Sequence, residues 1–222
     1  IIIPLIGLIF VLLSMENDGF AIQAKKSALW TTITNFILSL YLPFNFDKDI
    51  PHFQFVNSFE WFNNENLKFS LGVDGISMPF VILSTFLIFI CILFIYPQQK
   101  KNMKMYLASF LILESFLIGT FAAMDLFSFY IFFESILIPM YLIIGFWGGE
   151  RRIYSAYKFF LYTLLGSVFM LIAVIFLYQE FGTSSIPKLL DFTLPFYIQQ
   201  WLWLAFFSSF AIKIPMWPFH TW

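Results

Sequence analysis

The sequence predicts an all-α fold, a polytopic transmembrane helical bundle of about seven helices, and three observations lead to it. Hydrophobic residues fill 60% of the 222 positions and charged residues only 11%, against about 25% charged in ordinary soluble domains. Several apolar runs are long enough to cross a bilayer, which takes about 20 residues at ~1.5 Å of rise each. Within lipid every backbone N–H and C=O must be paired inside its own segment, so helices are expected and open sheets are excluded there.

Composition also excludes several functional classes. The formal net charge is −1 and no basic stripe is present, so no nucleic-acid partner is expected. Cys91 is the only cysteine, which rules out an intrachain disulfide and a CxxC motif. His52 and His220 lie far apart in the sequence, so a two-histidine metal or haem site within one helix is excluded. We therefore expect this chain to bind no metal or other redox cofactor.

The two ends of the sequence resemble cut ends. The apolar run 1–14 is too short to span unless it continues upstream of Ile1, and no basic segment of a signal peptide precedes it. Trp222 ends an apolar stretch with no cap and no polar tail. We therefore expect the first and last helices to be incomplete parts of a longer chain.

Two predicted connections flank the second span. A polar segment, residues 16–27, leads to the span 28–44, which is rich in Thr and Ser and ends at Pro43. The one long polar stretch follows at residues 45–70 and includes Trp61. It is expected outside the membrane, and a surface hairpin and a lid are both compatible with it.

The third and fourth spans are joined by a basic loop. Residues 71–96 form the third span, whose start is marked by Asp74 and Gly75, residues typical of a turn that opens a helix. After the basic loop 98–104, residues 105–124 form the fourth span, and Glu114 lies near its middle.

The fifth span, Asp125 to Trp147, is almost wholly apolar and has one carboxylate, Glu134, near its middle. The GGERR turn at residues 148–152 separates it from the sixth span, residues 153–178. Lys158 lies near the start of that sixth span.

The seventh span follows an amphipathic loop at residues 181–197 and begins at Gln199. Its second half contains Lys213, closely followed by Pro215 and Pro218. A proline removes a helix hydrogen bond and kinks or breaks the helix, and broken transmembrane helices are where transporters expose backbone groups to ions and water. The sequence therefore predicts a proline-broken seventh helix with a lysine beside the break.

The distribution of basic residues predicts an orientation. One alternating set of connections contains seven basic residues: Lys25, Lys26, Lys100, Lys101, Lys104, Arg151 and Arg152. The other set contains three: Lys48, Lys68 and Lys188. The positive-inside rule places the richer set in the cytoplasm or matrix, and the N-terminus on the opposite side.

Three ionisable side chains are predicted at membrane depth: Glu114, Glu134 and Lys213. A charge at the bilayer centre costs roughly 3 kcal/mol on insertion scales, so such residues usually face a protein interior or a wet cavity. Glu114 and Glu134 are at similar distances from the turn between their helices, which predicts similar depth. Opposite charges in a low dielectric favour their ionised forms and separation favours the neutral ones, so a Glu and a Lys here can exchange protons.

For each of these residues a structural role is an alternative to proton transfer. A single Glu within a span can serve as a hydrogen-bond partner between helices, and a Lys beside prolines can be a structural counter-ion. Lys158 can extend its amine to the interface, so a structural role suits it at least as well as a proton-transfer role. The three deeper charges together favour ion translocation, because the sequence contains no nucleophilic triad, metal cluster or phosphate loop.

Three strings carry a resemblance to a known family: LGVDGIS at 71–77, FYIFFESILIPMYLIIGFWGGERRIYSAYKFFLYTLLGS at 129–167 and FAIKIPMWPFHTW at 210–222. They resemble the antiporter-like membrane chains of the proton-pumping NADH:ubiquinone oxidoreductase, respiratory complex I, a family shared with multi-subunit sodium/proton antiporters. The composition is more similar to the mitochondrial form than to a bacterial one. Residues 1–70 match only in general character.

The resemblance implies roles for individual residues. Glu134 matches the family's glutamate on the fifth helix, and Lys213 matches its lysine on the broken seventh helix, the pair held to drive a proton half-channel. Glu114 matches a family acid on the fourth helix. The family chain has two inverted repeats, and this sequence stops within the first. The implied division is N-terminal transmembrane helices at 1–97 and a first antiporter-like half-channel repeat at 98–222, truncated in its seventh helix.

The resemblance also implies a setting. The chain would be a multi-pass subunit of the mitochondrial inner membrane, with its N-terminus on the intermembrane-space side and other membrane-arm subunits and lipids as partners. NADH, FMN, iron–sulfur clusters and ubiquinone would be bound by other subunits, and a separate polypeptide or missing C-terminal part would supply the second half. Two alternatives stay open: a sodium/proton antiporter subunit of the same superfamily, and a structural membrane subunit that does not pump.

Overall fold

The computed structural model describes residues 1–14, 21–50, 52–60 and 68–222. Helices dominate these residues, which confirms the predicted all-α class. In chain order the elements are α1 Ile2–Leu13, α2 Ile22–Ser39, α3 Tyr41–Asn45, β1 Gln54–Glu60, β2 Lys68–Val73, α4 Ser77–Ile95, α5 Met103–Ala122, α6 Leu126–Ser135, α7 Leu137–Trp147, α8 Arg152–Phe181, α9 Ile186–Leu189, α10 Phe196–Lys213 and a 3-10 helix at Phe219–Thr221.

Within the described ranges, four segments are long and apolar enough to cross a membrane. They are α4, α5, the pair α6–α7 taken together, and α8. The helix α1 is apolar but has only 12 residues. Both α2 and α10 have 18 residues, the length of a short span, but are less apolar. The seven predicted spans therefore all correspond to helices, four of which meet the length and hydropathy of a span on their own.

The chain divides into two compact units. The first comprises Ile1–Val56 and Gly72–Ala122, and the second comprises Asn57–Leu71 and Ala123–Trp222. These units are defined by packing, whereas the division at residues 97 and 98 is one of repeats and stays a prediction.

In the first unit, α1 and α4 both pack against α2 and α5. The buried face of α2 is formed by small and polar residues, among them Ala28, Thr32 and Asn35. The crossing of α1 over α2 is close, because a Cβ at Gly7 would lie 2.2 Å from Cγ2 of Thr31. Any larger residue at position 7 requires the two helices to move apart.

In the second unit, α8 is the central helix and packs against α6, α7 and α10. It ends at Phe181 because Gly182 takes a left-handed conformation, with φ of 67°, the usual glycine stop of a helix. The core between α6 and α8 contains Phe133, Met170 and Val174, all buried. This packing places Phe133, the neighbour of Glu134, in a fixed position.

The structure of the polar stretch 45–70 corrects one predicted boundary, the start of the third span. Its strand β1 pairs with β2 in a two-stranded sheet, and β2 continues to Val73, so the third span begins at Ser77 and not at residue 71. The Asp74 carboxylate explains this start, because it accepts hydrogen bonds from the backbone N–H of Ile76 and of Ser77, at 3.1 and 2.7 Å. Trp61 and the start of the predicted connection 16–27 lie outside the described residues.

The predicted loop at residues 181–197 also differs in detail. It contains the short helix α9, which begins with proline in its first turn, and α10 starts at Phe196, three residues before the predicted start at Gln199. Pro195 stands directly before α10, and a proline is well tolerated at a helix start because no helical N–H is needed there.

Candidate functional site

Glu134 lies in the last turn of α6, and this helix is held at its start by Asp125. The Asp125 carboxylate accepts hydrogen bonds from the backbone N–H of Ser128, at 2.8 Å, and from the Ser128 hydroxyl. The backbone around Asp125 is bonded further: Leu126 N–H donates to the Ser184 carbonyl at 2.9 Å, and Met124 N–H donates to the Ser70 carbonyl at 3.0 Å. The position of Glu134 is therefore set from a well-anchored helix end.

The sequence predicts the fifth span as one continuous helix, but the structure divides it into α6 and α7. It breaks at Ile136, between α6 and α7. Pro139 explains the break, because it has no N–H for the carbonyl of residue 135, and its ring collides with that carbonyl in a regular helix. Glu134 therefore lies at an interruption of its own helix.

Both carboxylate oxygens of Glu134 are buried, and neither has a hydrogen-bond partner among the described residues. The Ser167 hydroxyl of α8 lies beside the Glu134 carboxylate and the Tyr130 phenol. It donates instead to the Leu164 carbonyl of its own helix, at 2.9 Å. A buried carboxylate without partners is costly, so Glu134 is a site where a proton or a hydrogen-bonding group would be stabilised.

Lys213 is the last residue of α10, where the helix stops before Pro215. Its ammonium donates to the backbone carbonyl of Phe133. The same ammonium lies 3.2 Å from the centroid of the Phe133 ring, within the range of a cation–π contact. Lys213 and Glu134 interact electrostatically, although the amine is bonded to the residue that precedes Glu134. The structure thus brings together the predicted Glu and Lys of the second unit.

The break in the seventh helix is confirmed at the predicted prolines. Beyond Lys213 the backbone changes pattern, and Met216 N–H reaches back to the Ala211 carbonyl at 2.8 Å. The indole N–H of Trp222 donates to the Ile212 carbonyl at 2.7 Å. Residues 214–222 therefore fold back along the end of α10 and do not continue it as an α-helix.

The contact between α8 and α10 depends on Gly166. A Cβ at this position would lie 2.7 Å from Cδ1 and 3.2 Å from Cβ of Ile212. Ile212 immediately precedes Lys213, and Ser167 beside Glu134 immediately follows Gly166. The glycine therefore allows the close approach of the two helices that carry the Lys213 amine and the Ser167 hydroxyl.

Lys158 lies apart from this group along α8. It is nine residues before Ser167, about 13 Å of helix, and its ammonium donates to the Thr221 carbonyl at 2.7 Å. This contact holds the segment that follows the α10 break, which corresponds to the structural reading of Lys158 that the sequence left open.

Glu114 belongs to the first unit and is fully buried, with 0% of its surface exposed. One carboxylate oxygen accepts a hydrogen bond from the Asn35 side-chain amide at 2.6 Å, and the other has no partner among the described residues. A second buried polar contact in this unit joins the hydroxyls of Ser39 and Thr85, at 2.9 Å. The Asn35 contact is the interhelical hydrogen bond that the structural reading of Glu114 predicts.

Sequence reasoning missed Phe133, Pro139 and Asn35. Pro139 gave a usable signal, because a proline inside a predicted helix marks a break, just as it did near Lys213. Phe133 gave none, since its contribution is partly a backbone carbonyl, and every residue has one. No group of three or more His, Cys, Asp or Glu that could hold a metal is present in the described part of the chain.

The chain is similar to known membrane proteins in sequence and in structure. Residues 123–222 match the family model described as NADH:quinone oxidoreductase/Mrp antiporter, transmembrane. The chain is 45% identical over its whole length to NADH-quinone oxidoreductase subunit M of Rickettsia bellii, covering 46% of that protein. It is 44% identical over its whole length to NADH-ubiquinone oxidoreductase chain 4 of Marchantia polymorpha, covering 45% of that protein.

A solved structure agrees with the sequence relatives. The fold matches a chain in the structure of respiratory complex I from Thermus thermophilus with bound NADH, with a TM-score of 0.85 and 30% identity. The match covers all of this chain and 44% of that one. The chain thus spans about half the length of the curated relatives it matches, and the family resemblance predicted from its motifs is confirmed.

Proposed function

Because residues 123–222 match the family model of the NADH:quinone oxidoreductase/Mrp antiporter membrane proteins, we propose that the chain forms part of a proton half-channel in the membrane arm of a proton-translocating NADH:ubiquinone oxidoreductase. One observation supports this most: the buried Glu134 carboxylate has no hydrogen-bond partner among the described residues, and the Lys213 amine is bonded to the residue beside it. An acid and a base in this arrangement can exchange a proton when their spacing or hydration changes.

The proposed mechanism assigns a role to each group. Glu134 accepts and releases the translocated proton, and Lys213 stabilises the negative form of Glu134 when its ammonium approaches. Electron transfer to quinone on other subunits alters the spacing or hydration near this pair, which changes the protonation of both groups. Glu114 is a further proton-holding group of the first unit, and Lys158 fixes the segment behind the α10 break.

We also propose which cofactors other subunits bind, which partners this chain has and which membrane contains it. NADH, FMN, iron–sulfur clusters and ubiquinone are bound by other subunits, and the partners of this chain are the other membrane-arm subunits, including other antiporter-like chains, together with lipids. The second half-channel comes from the remaining part of the chain or from a separate polypeptide. The membrane is the mitochondrial inner membrane, with the N-terminus on the intermembrane-space side.

A sodium/proton antiporter subunit is the second candidate, because the matching family model includes the Mrp antiporters. Membrane vesicles that contain the assembled complex distinguish the two. We expect NADH oxidation to build a pH gradient in sodium-free buffer, and a protonophore to collapse it. Sodium-dependent proton exchange, without any NADH oxidation by the complex that contains this chain, would select the antiporter instead.

A further inference from the structure

Among the described residues, the Lys213 ammonium makes a hydrogen bond and a cation–π contact with Phe133. Its hydrogen bond goes to the Phe133 backbone carbonyl, and its charge lies over the face of the Phe133 ring. The Glu134 carboxylate, one residue further along, has no hydrogen-bond partner among the described residues. The amine is therefore placed on the neighbour of the acid and not on the acid itself.

The Phe133 carbonyl can accept this bond because of its place in the helix. The last four carbonyls of an α-helix lack a partner within that helix, and α6 ends at Ser135, two residues after Phe133. Pro139 causes this early end, since it cannot donate to the carbonyl of residue 135 and its ring excludes regular helix there. In a continuous helix the Phe133 carbonyl would instead accept from the N–H of Leu137.

The Phe133 ring is held firmly by its neighbours. It is 8% exposed and packs against Met170 and Val174 of α8. Its centroid lies 5.4 Å from that of Phe129 and 5.9 Å from that of Phe210 on α10, the latter at an interplanar angle of 83°. A fixed ring face presents a constant negative quadrupole to a cation, so the ring defines a position for the amine.

We propose that Phe133 and Pro139 are positioning residues that create a second binding position for the Lys213 ammonium. This position, on the carbonyl and ring of Phe133, competes with the Glu134 carboxylate for the ammonium. This inference rests on the proposed function and extends it. When the amine is bound at Phe133, no cation contacts the Glu134 carboxylate directly, and the protonated form of Glu134 is favoured. When the amine moves to Glu134, the carboxylate form is favoured and the proton is released. The change of partner thus links the position of one lysine to the charge of one acid.

Substitutions of Phe133 and Pro139 are expected to change how the Lys213 ammonium is distributed between Phe133 and Glu134. Replacing Phe133 by Leu removes the ring and keeps the carbonyl, which is expected to shift the ratio of the two lysine positions roughly tenfold towards Glu134. Replacing it by Tyr keeps an aromatic face and is expected to retain the wild-type position. Replacing Pro139 by Ala permits a continuous helix, in which the Phe133 carbonyl is taken by Leu137, and moves the amine towards Glu134 by a different route.

Cryo-electron microscopy of the assembled complex with each variant tests the inference, and Phe129→Leu is the matched control because Phe129 belongs to the same aromatic cluster. We expect the Lys213 amine within hydrogen-bond distance of Glu134 in Phe133→Leu and in Pro139→Ala, and on the residue-133 carbonyl in Phe133→Tyr and Phe129→Leu. Protons pumped per electron should fall in the first two variants and stay near wild type in the others. If Phe133→Leu does not assemble, Pro139→Ala carries the test.

An amine that stays on the residue-133 carbonyl in Phe133→Leu and Pro139→Ala would overturn the inference, as would an equal displacement in Phe129→Leu. That result concerns only where the lysine lies. The proposed function itself is judged separately, by whether pumping requires Glu134.

Discussion

Replacing Glu134 by Gln is expected to reduce proton pumping by the assembled complex roughly a hundredfold, within the range that a positioned proton-transfer group contributes. Glutamine has nearly the same shape as glutamate but cannot bind and release a proton at physiological pH. The packing of the α6 end around Phe133 should therefore persist, and only the proton exchange is lost. Proton uptake and NADH oxidation measured together in membrane vesicles check this, and we expect coupled NADH oxidation to fall with pumping.

The matched control for Glu134 is Glu150→Gln, which makes the same chemical change at an exposed residue in the turn before α8. It should leave pumping and NADH oxidation near their wild-type values. If Glu134→Gln pumps as well as this control, Glu134 is a structural residue, and the chain is better described as a subunit that does not pump.

Replacing Lys213 by Met is expected to have a similarly large effect, a roughly hundredfold loss of pumping in a complex that still assembles. Methionine is an unbranched, adaptable side chain that fills much of the volume of the lysine stem, but it provides no ammonium for either Phe133 or Glu134. Lys213→Arg makes the test sharper. Arginine stays charged throughout the accessible pH range, so it restores the charge and does not restore proton exchange.

Pumping and complex assembly measured for both Lys213 variants distinguish the two roles of this residue. We expect neither variant to pump, while Lys48→Met, a change at an exposed residue of the polar stretch, remains active. Wild-type pumping by Lys213→Arg would show that Lys213 acts only through its charge and does not itself exchange a proton.

The helices of this protein could be predicted from sequence because lipid leaves the backbone few choices. Each apolar run of sufficient length had to be helical, and each predicted span corresponds to one helix in the structure except the fifth, which is divided into α6 and α7. The boundaries were harder, since they depend on single side chains. The third span starts late because the Asp74 carboxylate binds the N–H groups of Ile76 and Ser77, and hydropathy does not detect such a contact.

The sequence predicts which charged residues form the candidate site, but it does not predict the contacts that they make. Glu134 and Lys213 could be found because an ionisable residue within an apolar run is costly and therefore rare. Their actual arrangement depends on Pro139 breaking the helix and on the Phe133 carbonyl accepting from the lysine. The second of these is a long-range contact through the backbone, which residue types alone do not encode.

We infer that Glu134 changes its protonation state during turnover. Infrared difference spectroscopy of the complex, reduced with NADH against the oxidised state, measures this through the carbonyl stretch of a protonated carboxylic acid. We predict a carboxylic-acid band that shifts in heavy water and is absent from the Glu134→Gln variant. A difference spectrum in that region that is the same in wild type and in Glu134→Gln would contradict the claim.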